Sequence, residues 1–133
     1  MEEVLEECEK DPISGNAKSM VSEDRVRIPE LREGRSTQTI NITRTQNQDA
    51  ILGQSRGKVA KQACDECVNC FRLFTECITA TAKGKAVGKG ACMNCLYGSE
   101  AKRCNFHISK YNSLLYTTVI RTNPLQPTTN SPR

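Results

Sequence analysis

The sequence predicts a small, metal-stabilised, irregular and mostly α domain of short helices and loops, flanked by a long disordered N-terminal region and a tail. Three observations predict it. Seven of the eight cysteines lie between Cys64 and Cys104, and six of them form the ladder Cys67-x2-Cys70-x6-Cys77-x14-Cys92-x2-Cys95-x8-Cys104. The apolar core is thin: 133 residues hold three Phe, three Tyr and no Trp. The flanks are polar and rich in Ser, Thr, Asn and Pro.

Each C-x-x-C turn can present two sulfurs to one tetrahedral ion, and a further cysteine closes the site. Six thiolates are too few for two separate four-cysteine sites, but they serve two ions that share two bridging sulfurs. A zinc–thiolate centre with two Zn²⁺ is therefore expected. A domain of this size commonly needs a metal or disulfides to fold. The N-terminus, MEEVLEECEK, is acidic and lacks the apolar core of a secretory signal, and no apolar run is long enough to span a bilayer. A nuclear or cytoplasmic location with reduced thiols follows as an expectation, so metal ligation is preferred to disulfides. Cys8, isolated in sequence, is expected to be a free thiol.

In chain order, residues 1–46 are expected to form a disordered, acidic region, with one or two marginal helical turns over 1–9. Residues 47–63 read as a linker or a short helix interrupted by Gly53 and Gly57. Residues 64–107 form the cysteine-rich domain. Within it, Val68, Phe71, Leu73 and Phe74 suggest a short helix over 65–76, and CITATA (77–82) an extended segment. KGKAVGKGA (83–91) reads as a flexible basic connector, and SEAKRC as a helical turn capped by Ser99. Residues 108–120 are ambiguous between helix and strand, with a packing helix preferred. Residues 121–133 are a disordered tail.

Three ligand sets compete. The ladder Cys67, Cys70, Cys77, Cys92, Cys95 and Cys104 resembles the fungal binuclear zinc cluster family. That resemblance implies that Cys67 and Cys92 bridge two ions. In that family the residues between the second and third cysteines are typically basic and reach DNA. Here they are Phe71-Arg72-Leu73-Phe74-Thr75-Glu76, a set poorly suited to phosphate or base contacts.

The second set replaces Cys70 by Cys64. Cys64-Asp-Glu-Cys67, Phe74-Thr-Glu-Cys77, Gly90-Ala-Cys-Met-Asn-Cys-Leu-Tyr97 and Arg103-Cys-Asn-Phe106 together resemble a fungal cysteine-rich domain family of unknown function, which implies no activity. The sequence departs from it in Arg72-Leu73, where Gly-Pro is frequent, and in the additional Cys70. The third set is two mononuclear sites, Cys64/Cys67/Cys70/Cys77 and Cys92/Cys95/Cys104/His107. His107 is read instead as a surface histidine.

No catalytic motif accompanies these cysteines: there is no H-E-x-x-H, P-loop or G-x-G-x-x-G, and no open-site zinc signature. A non-enzyme is expected, with no small-molecule substrate. Residues 1–34 carry ten acidic and five basic side chains, and residues 35–133 five acidic and fourteen basic. Two partner classes fit this balance. One is DNA, bound weakly through Lys83, Lys85, Lys89, Lys102 and Arg103 in a nuclear or transcription-related role. The other is a second protein, docked on the Phe71/Leu73/Phe74 face.

Overall fold

The computed structural model describes residues 1–69 and 72–110. Among the described residues there are five α-helices and four two-residue strands. They are α1 (Glu2–Lys10), α2 (Gly15–Val21), α3 (Thr45–Arg56), β1 (Lys58–Val59), α4 (Asp65–Val68), β2 (Ile78–Thr79), β3 (Thr81–Ala82), β4 (Lys85–Ala86) and α5 (Met93–Leu96). Two antiparallel pairs form: β1 with β2, matching Lys58 to Thr79, and β3 with β4, matching Thr81 to Ala86. Among the described residues no helix is long and apolar enough to cross a membrane.

α3 is the axis of the fold. It packs against α1, α2, α5 and β2. Residues 47–55 are all buried, although Asn47, Gln48, Asp49, Gln54 and Ser55 are polar. Burying such groups is costly unless each finds a partner. Here each does, and four of them tie a separate loop to the helix. Asn47 donates to the Asn41 carbonyl and accepts from Gly98 N–H, each at 2.9 Å. Gln48 accepts from Ile13 N–H at 2.7 Å and donates to the Asp11 carbonyl at 3.1 Å. Asp49 accepts from Ser14 Oγ, and Gln54 donates to the Glu76 carbonyl at 3.0 Å. Burial pushes the Asp49 carboxyl above its ordinary value, against the Ser14 and Asn16 hydrogen bonds.

The N-terminal region expected to be disordered is instead folded onto this axis. Acidic Glu2 and Glu3 begin α1 and Lys10 ends it, both favourable to the helix dipole. Leu5 and Cys8 lie one turn apart and are fully buried. Ser14 caps α2 by accepting from Ala17 N–H at 2.9 Å, and α2 buries Ala17 and Met20. These four residues join Ala50, Ile51, Leu52, Phe74 and Met93 in one apolar cluster. Burial, aided by Glu7 and Glu9, pushes the Cys8 thiol up to about 12.

Ion pairs fasten the same layer. Glu9 lies 2.7 Å from Arg25 and 2.8 Å from Arg56, which hold its carboxyl down at about 2, the Arg25 hydrogen bond acting most strongly. Sequence composition concealed this layer because its apolar residues are few and far apart, while its polar ones are satisfied by α3.

Other elements also differ from expectation. Gly53 does not interrupt α3: a Cβ there would collide with the Met93 side chain, so glycine lets α3 and α5 approach closely. The helix ends at Gly57, where a Cβ would strike the Thr79 carbonyl. The helix expected over 65–76 is a single turn, α4, with Val68 exposed and Leu73 and Phe74 buried in the loop beyond it. The extended reading of 77–82 appears as β2 and β3. The basic connector is a hairpin turn with Lys83 at φ +54° and Gly84 at +79°, followed by a 3-10 turn over Val87–Gly90. Ser99 does not cap the later turn, which spans Ala101–Arg103 and follows Glu100. Residues 111–133, where most of the packing helix and the tail were expected, lie outside the described residues.

Because Leu5 is fully buried in a shared cluster, Leu5→Ala should destabilise the whole domain by about 2–5 kcal/mol in denaturant unfolding. An unchanged midpoint would show that α1 is not part of the cooperative unit.

Candidate metal centre

The chain folds its cysteines together with one local device used twice. Cys64 is the N-cap residue of α4, and Cys67 is the third residue of that turn. Cys92 is the N-cap of α5, and Cys95 is again the third residue. An N-cap and the third helical residue face one another across the helix start, so each C-x-x-C presents two sulfurs to one side. In α5 the Cys92 sulfur accepts the Cys95 N–H at 3.4 Å. The third cysteine of each half is held the same way: Cys64 N–H donates to Cys77 Sγ at 3.4 Å, and Cys92 N–H donates to Cys104 Sγ at 3.3 Å. The two halves are thus related by an approximate twofold pattern.

Six sulfurs converge, all on buried residues. They form two quartets, Cys64/Cys67/Cys77/Cys92 and Cys64/Cys92/Cys95/Cys104, and within each quartet the sulfurs lie inside 4.8 Å of one another. The quartets overlap in Cys64 and Cys92, whose sulfurs are 3.9 Å apart. Cys64–Cys95 and Cys67–Cys92 are each 3.7 Å. Each quartet could hold a metal ion. No described cysteine is in a disulfide.

The sulfurs sit in a net of donors. Besides the three N-cap contacts, Phe106 N–H approaches Cys104 Sγ at 3.5 Å and Asn94 Nδ2 approaches Cys67 Sγ at 3.4 Å. Thiols packed this closely compete for protons. Hydrogen bonds from neighbouring thiols, Cys104 first, pull Cys64 well below its ordinary value. Donation to Cys64 pushes Cys77 up, and donation to Cys104 pushes Cys95 up. Arg72 stands beside this cluster and pairs with Glu66 at 2.8 Å. Burial opposes its charge, while Cys95, Glu66 and Glu100 hold its pKa above the ordinary value.

The sequence-predicted residues distribute as follows. Cys64, Cys67, Cys77, Cys92, Cys95 and Cys104 come together, the six sulfurs of the second ligand set. Cys70 and Phe71 lie outside the described residues. The overlap falls on Cys64 and Cys92, whereas the binuclear resemblance pointed to Cys67 and Cys92; Cys67 belongs to one quartet only.

His107 is not a surface residue. It is 6% exposed, and its Nδ1 accepts the Ser109 N–H at 3.1 Å. It belongs to neither quartet. Burial lowers its pKa, as do Lys89, Lys102 and Lys110. Lys83 and Lys85 lie apart from these, lining a groove of about 490 Å³ with Ser14, Asn16 and Ser19. Arg103 is exposed and pairs with Glu100 at 3.5 Å.

Two supporting residues were not legible as such. Arg32, from the N-terminal layer, donates to the carbonyls of Cys67, Arg72 and Phe74 at 3.2–3.3 Å, while its own N–H reaches Leu73 O at 2.8 Å. No sequence signal marks it. Asn94 sits inside the second C-x-x-C, where the G-A-C-x-N-C pattern did single it out.

Residues 50–107 match the model of a family described as a protein of unknown function (DUF3716). That span contains all six converging cysteines together with Asn94 and Arg72, and it begins inside α3. No curated protein and no solved structure matches the chain.

Gly90 fixes how the last ligand-bearing segment closes on the site. It has φ +94°, and a Cβ there would sit 2.8 Å from the Phe106 carbonyl. Gly98 has φ +83° with nothing near a Cβ. Gly98→Ala should therefore cost only the backbone term, about 1–2 kcal/mol, and Gly90→Ala distinctly more in denaturant unfolding. Equal costs would show that residues 88–90 do not press on 106–108.

Proposed function

We propose that this chain is a structural zinc module in which six thiolates hold two Zn²⁺ ions, with Cys64 and Cys92 shared between them. The observation that carries this reading is the overlap of the two sulfur quartets. Two tetrahedral ions need eight ligand positions. Four terminal sulfurs and two bridging ones supply them. A tetrahedron with Zn–S bonds of about 2.3 Å has S···S edges of about 3.8 Å; the pairs Cys64–Cys92, Cys64–Cys95 and Cys67–Cys92 lie at 3.7–3.9 Å, and the other pairs of each quartet within 4.8 Å. Thiolate softness and tetrahedral placement favour zinc among common ions. Cys67 and Cys77 would complete one ion, and Cys95 and Cys104 the other.

Such a centre has no free coordination position, so its role is to hold the fold rather than to activate water. Six thiolates and two Zn²⁺ leave a net charge of about −2, which the N–H donors and Arg72 offset. A non-enzymatic module of this kind acts by presenting its surface to a macromolecular partner.

The metal reading is tested by native mass spectrometry. Two zinc ions per chain are expected. Cys64→Ser and Cys92→Ser should each lose both, and Cys77→Ser and Cys104→Ser should each lose one. His107→Ala should keep two. A purified chain with disulfides and no metal would sink the reading.

The partner class that the basic residues suit is a nucleic-acid backbone. Lys89, Lys102 and Lys110 come from three separate segments and act together on His107. Three such contacts would give weak, sequence-independent affinity of about 10⁻⁴–10⁻⁶ M at physiological salt. Replacing all three by Ala should weaken binding to unrelated duplexes alike, with a smaller effect from Lys83 and Lys85. Absence of binding at low salt would leave a protein partner.

A further inference from the structure

We infer that Asn94 is a positioning residue of the metal centre: its side-chain amide holds the Cys67 thiolate and fixes the loop that carries the ligands of one ion only. This rests on the metal reading above and adds a residue that is not a ligand.

The geometry is specific. Asn94 is 1% exposed. Its Oδ1 accepts the Phe74 N–H at 2.8 Å, and its Nδ2 donates to the Phe74 carbonyl at 2.7 Å. One amide side chain thus closes both backbone groups of one residue, as a neighbouring strand would. The same Nδ2 reaches Cys67 Sγ at 3.4 Å, within range of an N–H···S hydrogen bond. A side-chain amide has two N–H donors, so both contacts are served at once. Phe74 lies in the connection between Cys67 and Cys77. Asn94 therefore grips the ligand-bearing segment of the first ion at two points, one of them the sulfur.

Asn94 is the second residue of α5, and Glu66 holds the same place in α4. Asn94 donates directly to Cys67 of the other half, whereas Glu66 pairs with Arg72 at 2.8 Å. Cys67 thus has a polar support that starts from the other half. Only an amide at 94 supplies an acceptor for Phe74 N–H together with donors for Phe74 O and a thiolate. Asp at this position would keep the acceptor, lose both donors, and place a negative charge beside thiolates.

The test uses the full chain loaded with ¹¹³Cd²⁺ in place of zinc. Two cadmium resonances are expected. In the unaltered protein the Asn94 amide protons should couple to one of them, the ion that also couples to the Cys77 β-protons. In Asn94→Asp that resonance should shift more than the other, and a competing chelator should remove its ion at an affinity lower by on the order of 10–100-fold, the usual effect of losing an outer support. Equal shifts, or unchanged affinity in a folded variant, would overturn the assignment. So would two resonances with no Asn94 coupling in the unaltered protein, a measurement that holds even if the variant fails to fold. If no cadmium binds, the metal reading itself fails and takes this inference with it.

Discussion

The described residues from Cys64 to His107 are arranged so that six sulfurs can meet. Soft, polarisable thiolates repel one another once ionised, and packing them together without a cation is unfavourable. The fold answers with repeated local geometry rather than with a large core. Two single-turn helices begin on cysteines, and each N-cap N–H donates to the third sulfur of its own half. Helices of four residues have almost no stability of their own. α5 is held by its packing on α3, and under the proposed metal reading both turns would also be held through their sulfurs. A structural zinc centre supplies on the order of 10–16 kcal/mol of folding free energy, comparable to the whole net stability of a domain. A thin apolar core is consistent with that dependence.

The first half depends on α3, which sits between two unlike neighbours. Leu5, Cys8, Ala17 and Met20 of α1 and α2 share its apolar cluster, and Met93 of α5 packs closely against Gly53. Its buried amides act as tethers for loops around residues 11–14, 41, 76 and 98. Each tether is worth little alone, about 0.5–1.5 kcal/mol net, but leaving any one unmade costs the full desolvation of a buried polar group. The loops are consequently fixed as a set. This explains how short segments without regular structure, such as residues 22–36, keep defined positions: Val26 and Arg27 both donate to Ser55 O, and Arg32 donates to three carbonyls beside the cysteine cluster.

The candidate site was more legible than the fold around it. Cysteine spacing is a direct statement about which sulfurs can reach one centre, so Cys67, Cys77, Cys92, Cys95 and Cys104 appeared in every ligand set. The position of Cys64 at the start of α4 was harder to read, because spacing alone let Cys70 take its place. Of the buried N-terminal layer only the helical turns over 1–9 were legible, as α1; its packing was not. Periodicity methods look for an apolar stripe, and α3 buries Asn47, Gln48, Asp49 and Gln54 all round. Its amphipathicity is absent because its polar groups are satisfied inside rather than exposed. Gly53 looked like an interruption for a related reason: glycine in a helix is read as a weakness unless the neighbour that needs the space, here Met93, is known.

The two halves are not independent. Phe74 is gripped by Asn94 from the cysteine side, and it pairs with Leu31 across an antiparallel bridge from the N-terminal side. Thr75 N–H donates to Glu30 O at 3.0 Å, and Arg32 N–H to Leu73 O. Residues 73–75 are thus a strand-like seam with the ligand-bearing α5 on one face and the N-terminal segment on the other. The apolar cluster crosses the same seam, since Phe74 is fully buried among residues of both halves and its ring meets Tyr97 edge-on at 6.1 Å. An ion that fixes Cys67 and Cys77 fixes both ends of the loop containing that seam. A metal bound as proposed would then be coupled to the docking of the N-terminal segment through the backbone hydrogen bonds of residues 73–75 and the Phe74 ring. The region that composition marks as an acidic tail is in this way packed and hydrogen-bonded to the segment that joins Cys67 to Cys77.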